Sequence, residues 1–350
     1  MTRATRCARW LAEGLDRAFA WAGEWRPAVR LGEWLVREEP WPGNSPDREA
    51  PDIPSLGYRP ARVAPGPVPM QRDGPIRRAE VAWKLCGPAG ERRLGYLGTG
   101  GFYLPAQPAS VPLAGLLVPP VLYDPLHLAV GSLARYLARR GFAVLELRGG
   151  PSFLGRVRVE PQGVGPTWDE VVAAMIVDGR LALDWLCARD EVDPGRLGIV
   201  GVSHGAIVGP CVMGADRRLR AGVFCMGGGD ERLLVARSRE WTVRRFRRRL
   251  MRARGLRAPE QLLGAGGEPL SRTDPLRYAP AVDPQQILVV KTRRDRAVPP
   301  EAQDKLWEAL GRPHRISVPL GHLGFGLVYP VIARRAAAFL HEQLGASGHE

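Results

Sequence analysis

Apolar residues recur along this chain in two rhythms. Short, nearly unbroken apolar runs fall at 114–118, 142–147, 196–202, 221–226, 287–291 and 316–320. Between some of them lie longer stretches, 126–139 and 168–188, whose apolar positions return every three to four residues. Runs without polar alternation belong to strands covered on both faces, and the longer period belongs to helices that pack on them. The alternation predicts an α/β architecture, a mostly parallel central sheet with helices on both faces. Two further stretches, 81–85 and 94–104, predict antiparallel strands that open the sheet. No internal repeat is visible.

Two regions break the rhythm. Near the start, Cys7, Leu11, Leu15, Ala18, Phe19 and Ala22 share a helical spacing, which predicts an amphipathic helix that stops at Pro27 and resumes over 29–36. Five of the ten tryptophans, Trp10, Trp21, Trp25, Trp34 and Trp41, lie in this stretch. Residues 40–80 are dense in Pro and Asp and predict an extended connector. Residues 1–78 are therefore expected to form an N-terminal helical extension with a Pro-rich connector, and 79–347 the main domain. The extension is expected to dock on that domain; lying in a membrane interface is the alternative, weakened by eight arginines against eight acids in the first 50 residues. The second interruption, 231–275, carries Trp241, Val243, Phe246, Leu250 and Met251 as an apolar helical stripe.

Charge changes the picture less than its size suggests. The formal net charge is +14, but ten arginines and one acid, Glu240, lie between Arg237 and Arg257, so this one segment carries +9. A local excess does not make a nucleic-acid-binding surface, and no nucleic-acid partner is expected. These arginines are read mainly as a solvated face, with attraction of an anionic substrate as the alternative. The five cysteines, Cys7, Cys86, Cys187, Cys211 and Cys225, are odd in number and widely spaced, without a metal-ligand cluster. They read as thiols of a reducing compartment, and with no apolar run near the roughly 18 residues of a membrane span, a cytoplasmic location is expected.

The candidate chemistry begins at Gly201-Val-Ser203-His-Gly205, which follows the apolar run 196–202 and precedes a helix-compatible stretch. A Gly-x-Ser-x-Gly turn between strand and helix presents its serine in a strained conformation, side chain outward. The backbone N–H of His204, next in the chain, is a candidate donor to an oxyanion formed at the attacked carbonyl. Pro210 is a misfit that should tighten or end the helix early.

A serine hydroxyl holds its proton too tightly to attack at neutral pH, so it needs an imidazole, and the imidazole needs a carboxylate to fix its tautomer and charge. Asp295, in the loop after the run 287–291, is the candidate acid, and His322, between Gly321 and Leu323 after the run 316–320, is the candidate base. They follow the serine in the order Ser, acid, His. Asp230, just past the run 221–226, is the competing acid.

On the segment 192–205, the loop Asp295-Arg-Ala-Val-Pro299 and the pair Gly321-His322, the chain resembles the α/β-hydrolases over residues 80–345. The Val-Asp-Pro-x-Arg approach to the serine is similar to that of dienelactone-hydrolase-like, acetyl-xylan-esterase-like, prolyl-oligopeptidase-like and acyl-CoA-thioesterase-like members. The resemblance implies the α/β-hydrolase fold, with 231–275 as a helical cap over the nucleophile. It also implies a serine hydrolase that cleaves a small carboxylic ester or thioester through an acyl-enzyme on Ser203 and needs no metal or organic cofactor. The same residues would serve an acyltransferase or peptidase, and a catalytically silent relative that binds an anionic partner is the non-enzymatic alternative. One departure concerns the second oxyanion amide: the loop after 114–118 reads Pro119-Pro120-Val121-Leu122, and since proline has no N–H, Val121 is the expected donor, with Leu122 next. The Pro-Pro pair also resembles polyester synthases, which carry cysteine in place of Ser203.

Overall fold

The structure, a computed structural model, describes residues 32–43, 53–54, 56–60, 68–82, 99–122, 128–148, 157–159, 166–264 and 271–345. The amphipathic helix expected before Pro27, with Trp10, Trp21 and Trp25, lies outside them.

The apolar runs form the middle of one mixed sheet. Its strands are β1 (Arg37–Glu39), β2 (Gln71–Asp73), β3 (Ile76–Ala82), β4 (Thr99–Pro105), β5 (Leu113–Val118), β6 (Ala143–Arg148), β7 (Val192–Val202), β8 (Leu219–Cys225), β9 (Ile287–Thr292) and β10 (His314–Val318). Among the described residues their order is β1-β10-β9-β8-β7-β5-β6-β4-β3-β2. The pairs from β10 through β6 are parallel, and β4, β3, β2 and β1 add antiparallel at the two edges.

Side-chain alternation along the central strands feeds two separate cores, which is why the runs lack polar residues. Leu117, Ile199, Phe224 and Val289 point to one core, with helix α2 (Trp168–Cys187) and helix α3 (Gly205–Ala215). Leu116, Val200, Val223 and Val290 point to the other, with α1 (Leu128–Arg139) and α7 (Tyr329–Leu344). The start of α2 is set locally by a capping box: the Thr167 hydroxyl accepts from the Glu170 amide, and the Glu170 carboxylate accepts from the Thr167 amide.

Three expectations are corrected. β3 crosses the 78/79 boundary, and β1 and β2, on its N-terminal side, are strands of the same sheet; short strands here cover edges that would otherwise offer unpaired amides. The stretch 29–36 yields only a helical turn at 32–35 among described residues, followed by β1, which Glu39 ties to Arg315, while Glu33 and Glu38 pair with Arg335. Pro210 does not end its helix. α3 continues to Ala215, nearly all buried, and the carbonyl of Ala206 that Pro210 cannot bond is packed by Gly227, where a Cβ would come within 2.3 Å of it.

Cys187, Cys211 and Cys225 are free thiols. Burial pushes the Cys225 thiol up to about 12 and raises Cys211 well above its ordinary value, with the Asp274 and Glu231 carboxylates adding to the second shift. Both should therefore be nearly inert to thiol reagents in the native protein, whereas all five cysteines should titrate in the denatured, unreduced chain. A stoichiometric disulfide in protein alkylated at cell lysis would contradict this.

Candidate active site

The chain leaves β5 for β6 on one side and returns for β7 on the other, so the carboxyl ends of β5 and β7 flank a crevice where the strand order reverses. Pro119 follows β5 and Ser203 follows β7 at this crevice. Ser203 is held at φ +54°, a left-handed conformation that costs a non-glycine residue about 1–3 kcal/mol. Its N–H donates to the Cys225 carbonyl at 2.8 Å, which pins the turn to β8. The two elbow glycines act through close approach: a Cβ on Gly201 would lie 2.3 Å from the Gly205 carbonyl oxygen, and one on Gly205 would lie 2.9 Å from the Pro119 carbonyl oxygen. Elbow and Pro-Pro loop are thus in contact.

The His204 side chain reinforces that contact. It is 6% exposed and hydrogen-bonds Pro120. Proline can only accept there, so an imidazole N–H is the donor. Burial lowers the ring's pKa to about 4, against the opposing pull of that hydrogen bond, so the imidazole is neutral at physiological pH. The His204 amide opens α3, where N–H groups project from the helix end, and Val121 lines the same cavity as Ser203.

Asp295 and His322 meet across the ends of β9 and β10. The Arg293 amide donates to Val318 and the Arg294 amide to Leu320, at 2.9 and 3.0 Å, which draws the two loops together. His322 Nδ1 lies 2.8 Å from Asp295 Oδ2, and that oxygen also accepts from the Thr292 hydroxyl at 2.7 Å. Oδ1 accepts from the amides of Ala297 and Val298 at 2.8 and 2.9 Å. Burial alone would raise this carboxyl's pKa, but the His322 contact, the Thr292 hydroxyl and the Val298 amide outweigh it and hold it below the ordinary value. An ionised carboxylate can only accept, so Nδ1 carries the proton and Nε2 offers its lone pair.

Asp230, the competing acid, is engaged in other contacts. It sits at φ +64°, caps α4 (Glu231–Arg237) by accepting from the Leu233 amide, and pairs with Lys305. Sequence reasoning missed Thr292 and Gln303, which support the acid loop: Gln303 Oε1 accepts from the Thr292 amide at 3.1 Å, and Nε2 donates to the Val298 carbonyl at 2.8 Å. Gln303 lies in helix α6 (Pro300–Ala309), and an amide one turn into the helix after the Val-Pro step was the visible signal.

Ser203, His322, His204 and Val121 line one cavity of about 890 Å³. α4 and α5 (Trp241–Ala253) of the insertion supply part of its wall through Leu234, Val235, Trp241 and Val243. The expected stripe divides: Phe246 and Leu250 turn to a second cavity of about 550 Å³, and the Phe246 ring lies 5.6 Å from that of Trp168, tilted by 31°, with Trp168 lining both cavities. Helical periodicity places Phe246 and Leu250 on another face from Trp241. Of the ten arginines in 237–257, eight are exposed. Arg247 donates to the carbonyls of Val235, Ala236 and Ser238 at the end of α4, and Arg249 to that of Val157. Arg239 lines the cavity. Among the described residues no group of three or more His, Cys, Asp or Glu is placed to hold a metal ion, and no helix is long and apolar enough to cross a membrane.

Comparison with known proteins identifies the fold. No protein-family model matches the sequence, and a search of curated proteins finds no match. Among solved structures, an acetyl xylan esterase from Paenibacillus sp. R4 is similar at 21% identity over 78% of this chain and 88% of its own, with a TM-score of 0.55. Acetyl xylan esterase 1 from Thermoanaerobacterium sp. JW/SL YS485 is similar at 16% identity over 80% and 89%, with a TM-score of 0.56. An acylaminoacyl peptidase from Pyrococcus horikoshii is similar at 12% identity over 72% of this chain and 40% of its own, with a TM-score of 0.51. The chain has the α/β-hydrolase fold.

Proposed function

We propose that this protein is a serine hydrolase that cleaves a carboxylic ester or thioester through an acyl-enzyme on Ser203. The observation that carries the reading is the convergence in one cavity of a strained Ser203 and a His322 whose Nδ1 is held 2.8 Å from a buried, ionised Asp295. The fold that it shares with esterases and a peptidase supports it.

Ser203 Oγ attacks the substrate carbonyl carbon while its proton passes to His322 Nε2. The carbonyl oxygen becomes an oxyanion, stabilised by the amides of His204 and Val121. Asp295 keeps the imidazole in the tautomer that can accept and offsets the charge it gains. Collapse of the tetrahedral adduct breaks the bond to the alcohol or thiol, which leaves with the proton from His322. Water then repeats the sequence on the acyl-enzyme and returns Ser203. An acyltransferase or peptidase would use the same steps with a different acceptor or leaving group.

In this reading 231–275 is a cap, the substrate is a small molecule, and the protein works in the cytoplasm. A rapid-mixing assay with p-nitrophenyl esters and acyl-CoA thioesters tests it. A burst of leaving group approaching one per protein, with steady turnover that added acceptor alcohols do not accelerate, is expected where deacylation is slow. Absence of turnover on every ester and thioester would overturn the hydrolase reading, and dominant transfer to the acceptor would make it an acyltransferase.

A further inference from the structure

The cavity beside Ser203 is large and mostly apolar, and the charged side chains on its wall are three arginines and one glutamate. At about 890 Å³ it stands near the upper end of the ~300–1,000 Å³ of small-molecule sites. Its wall includes Val118, Leu133, Trp168, Ile207, Val235 and Phe325, far more apolar surface than an acetyl group could cover. Two apolar side chains of the wall also face solvent, Trp241 at 57% and Leu323 at 95% exposure. Exposed apolar groups continuous with an apolar cavity mark a path for an apolar ligand.

Three exposed arginines share this wall: Arg239 from the insertion, and Arg294 and Arg296 from the loop that holds Asp295. The two segments are joined by the Arg239 amide, which donates to the Arg296 carbonyl at 2.6 Å. Two carboxylates lie nearby, and both are engaged. Glu240 accepts from the Val243 amide at 2.8 Å as the cap of α5, and Asp295 is turned to His322, Thr292 and two backbone amides. Among the described residues no carboxylate forms an ion pair with Arg239, Arg294 or Arg296. The remaining ionisable groups of the wall are the neutral His204, His322 and the Tyr329 hydroxyl.

We infer that the cavity takes an anionic amphiphile, with its apolar chain against the apolar wall and its carboxylate or phosphate group against Arg239, Arg294 and Arg296. As a substrate such a molecule rests on the reading of Ser203 as nucleophile; as a ligand it does not. The inference also redirects the role of the arginine segment: Arg247 and Arg249 hold backbone carbonyls, and Arg239 is the member that reaches the ligand.

The test is calorimetric titration of the full-length Ser203→Ala protein with dodecanoate and dodecyl phosphate below their aggregation concentrations. Octanoate and a neutral dodecyl oligoethylene glycol ether serve as references. Dodecanoate should bind about two orders of magnitude more tightly than octanoate, at about fourfold per methylene. It should also bind about tenfold more tightly than the neutral ether at low salt, an advantage that shrinks as salt rises. Arg239→Gln with Arg296→Gln should remove most of that advantage and leave ether binding unchanged. The salt dependence stands on the unaltered arginines, so it decides the matter even if the double variant folds poorly. The two head groups separate a fatty-acid-like from a phosphate-bearing ligand by their relative affinity.

Equal, salt-independent binding of dodecanoate and the ether would overturn the anionic part, and loss of the chain-length dependence would overturn the amphiphile altogether. Tight dodecanoate binding by a protein without esterase activity would sink the catalytic reading and leave the ligand class standing. Ester turnover without amphiphile binding would do the reverse.

Discussion

Ser203→Ala is expected to lower ester turnover by about a millionfold, to the level left by binding and oxyanion stabilisation alone. The change removes one oxygen from a half-buried side chain and keeps the Cβ, so the strain at φ +54° is the same in both proteins. The backbone bond from residue 203 to Cys225 and the close packing of Gly201 on Gly205 are untouched. Thermal unfolding should therefore occur within a few degrees of the parent protein, and circular dichroism should be unchanged. Turnover and melting temperature measured on the same preparation separate loss of chemistry from loss of fold. Retention of more than a small fraction of activity by a folded variant would mean that another group attacks the carbonyl.

Asp295→Asn should cut kcat by about two to four orders of magnitude, and the geometry says why. Oδ1 accepts from the amides of Ala297 and Val298. An asparagine keeps both bonds only if its carbonyl oxygen takes that place, which turns its NH2 toward Thr292 and His322. The NH2 then donates to Nδ1, the imidazole proton moves to Nε2, and the ring can no longer accept from Ser203. Asp230→Asn should leave kcat within about a few-fold, since asparagine caps a helix about as well as aspartate. Measuring kcat for both variants on one soluble ester decides between the two acids. A large loss in Asp230→Asn with normal Asp295→Asn turnover would place the carboxylate one strand earlier.

The contrast between these two acids shows what the sequence could reveal. Strands β5 to β9 were legible because they are covered on both faces, and the elbow was legible because its glycines sit where backbone meets backbone. Asp295 and His322 were singled out as candidates by their places in the loops after two apolar runs, since chain order alone would also admit Asp230. What escaped depends on partners far away in the chain. β1 is three residues long, and its place beside β10 rests on pairing with residues 315–317 and on ion pairs to Arg315 and Arg335. β10 lies two residues earlier than its apolar run suggested, because Pro319 and Leu320 look like strand residues but follow its end. Phe246 could not be assigned to a cavity without knowing where Trp168 stands.

The central claim is that Ser203 is the nucleophile, and its most direct test is reaction of the native protein with a fluorophosphonate followed by peptide mapping. The account predicts one adduct per chain, on Ser203, with hydrolysis lost in step with labelling and no adduct on the Ser203→Ala protein. An adduct on another serine, or full esterase activity in a protein that does not label, would contradict it.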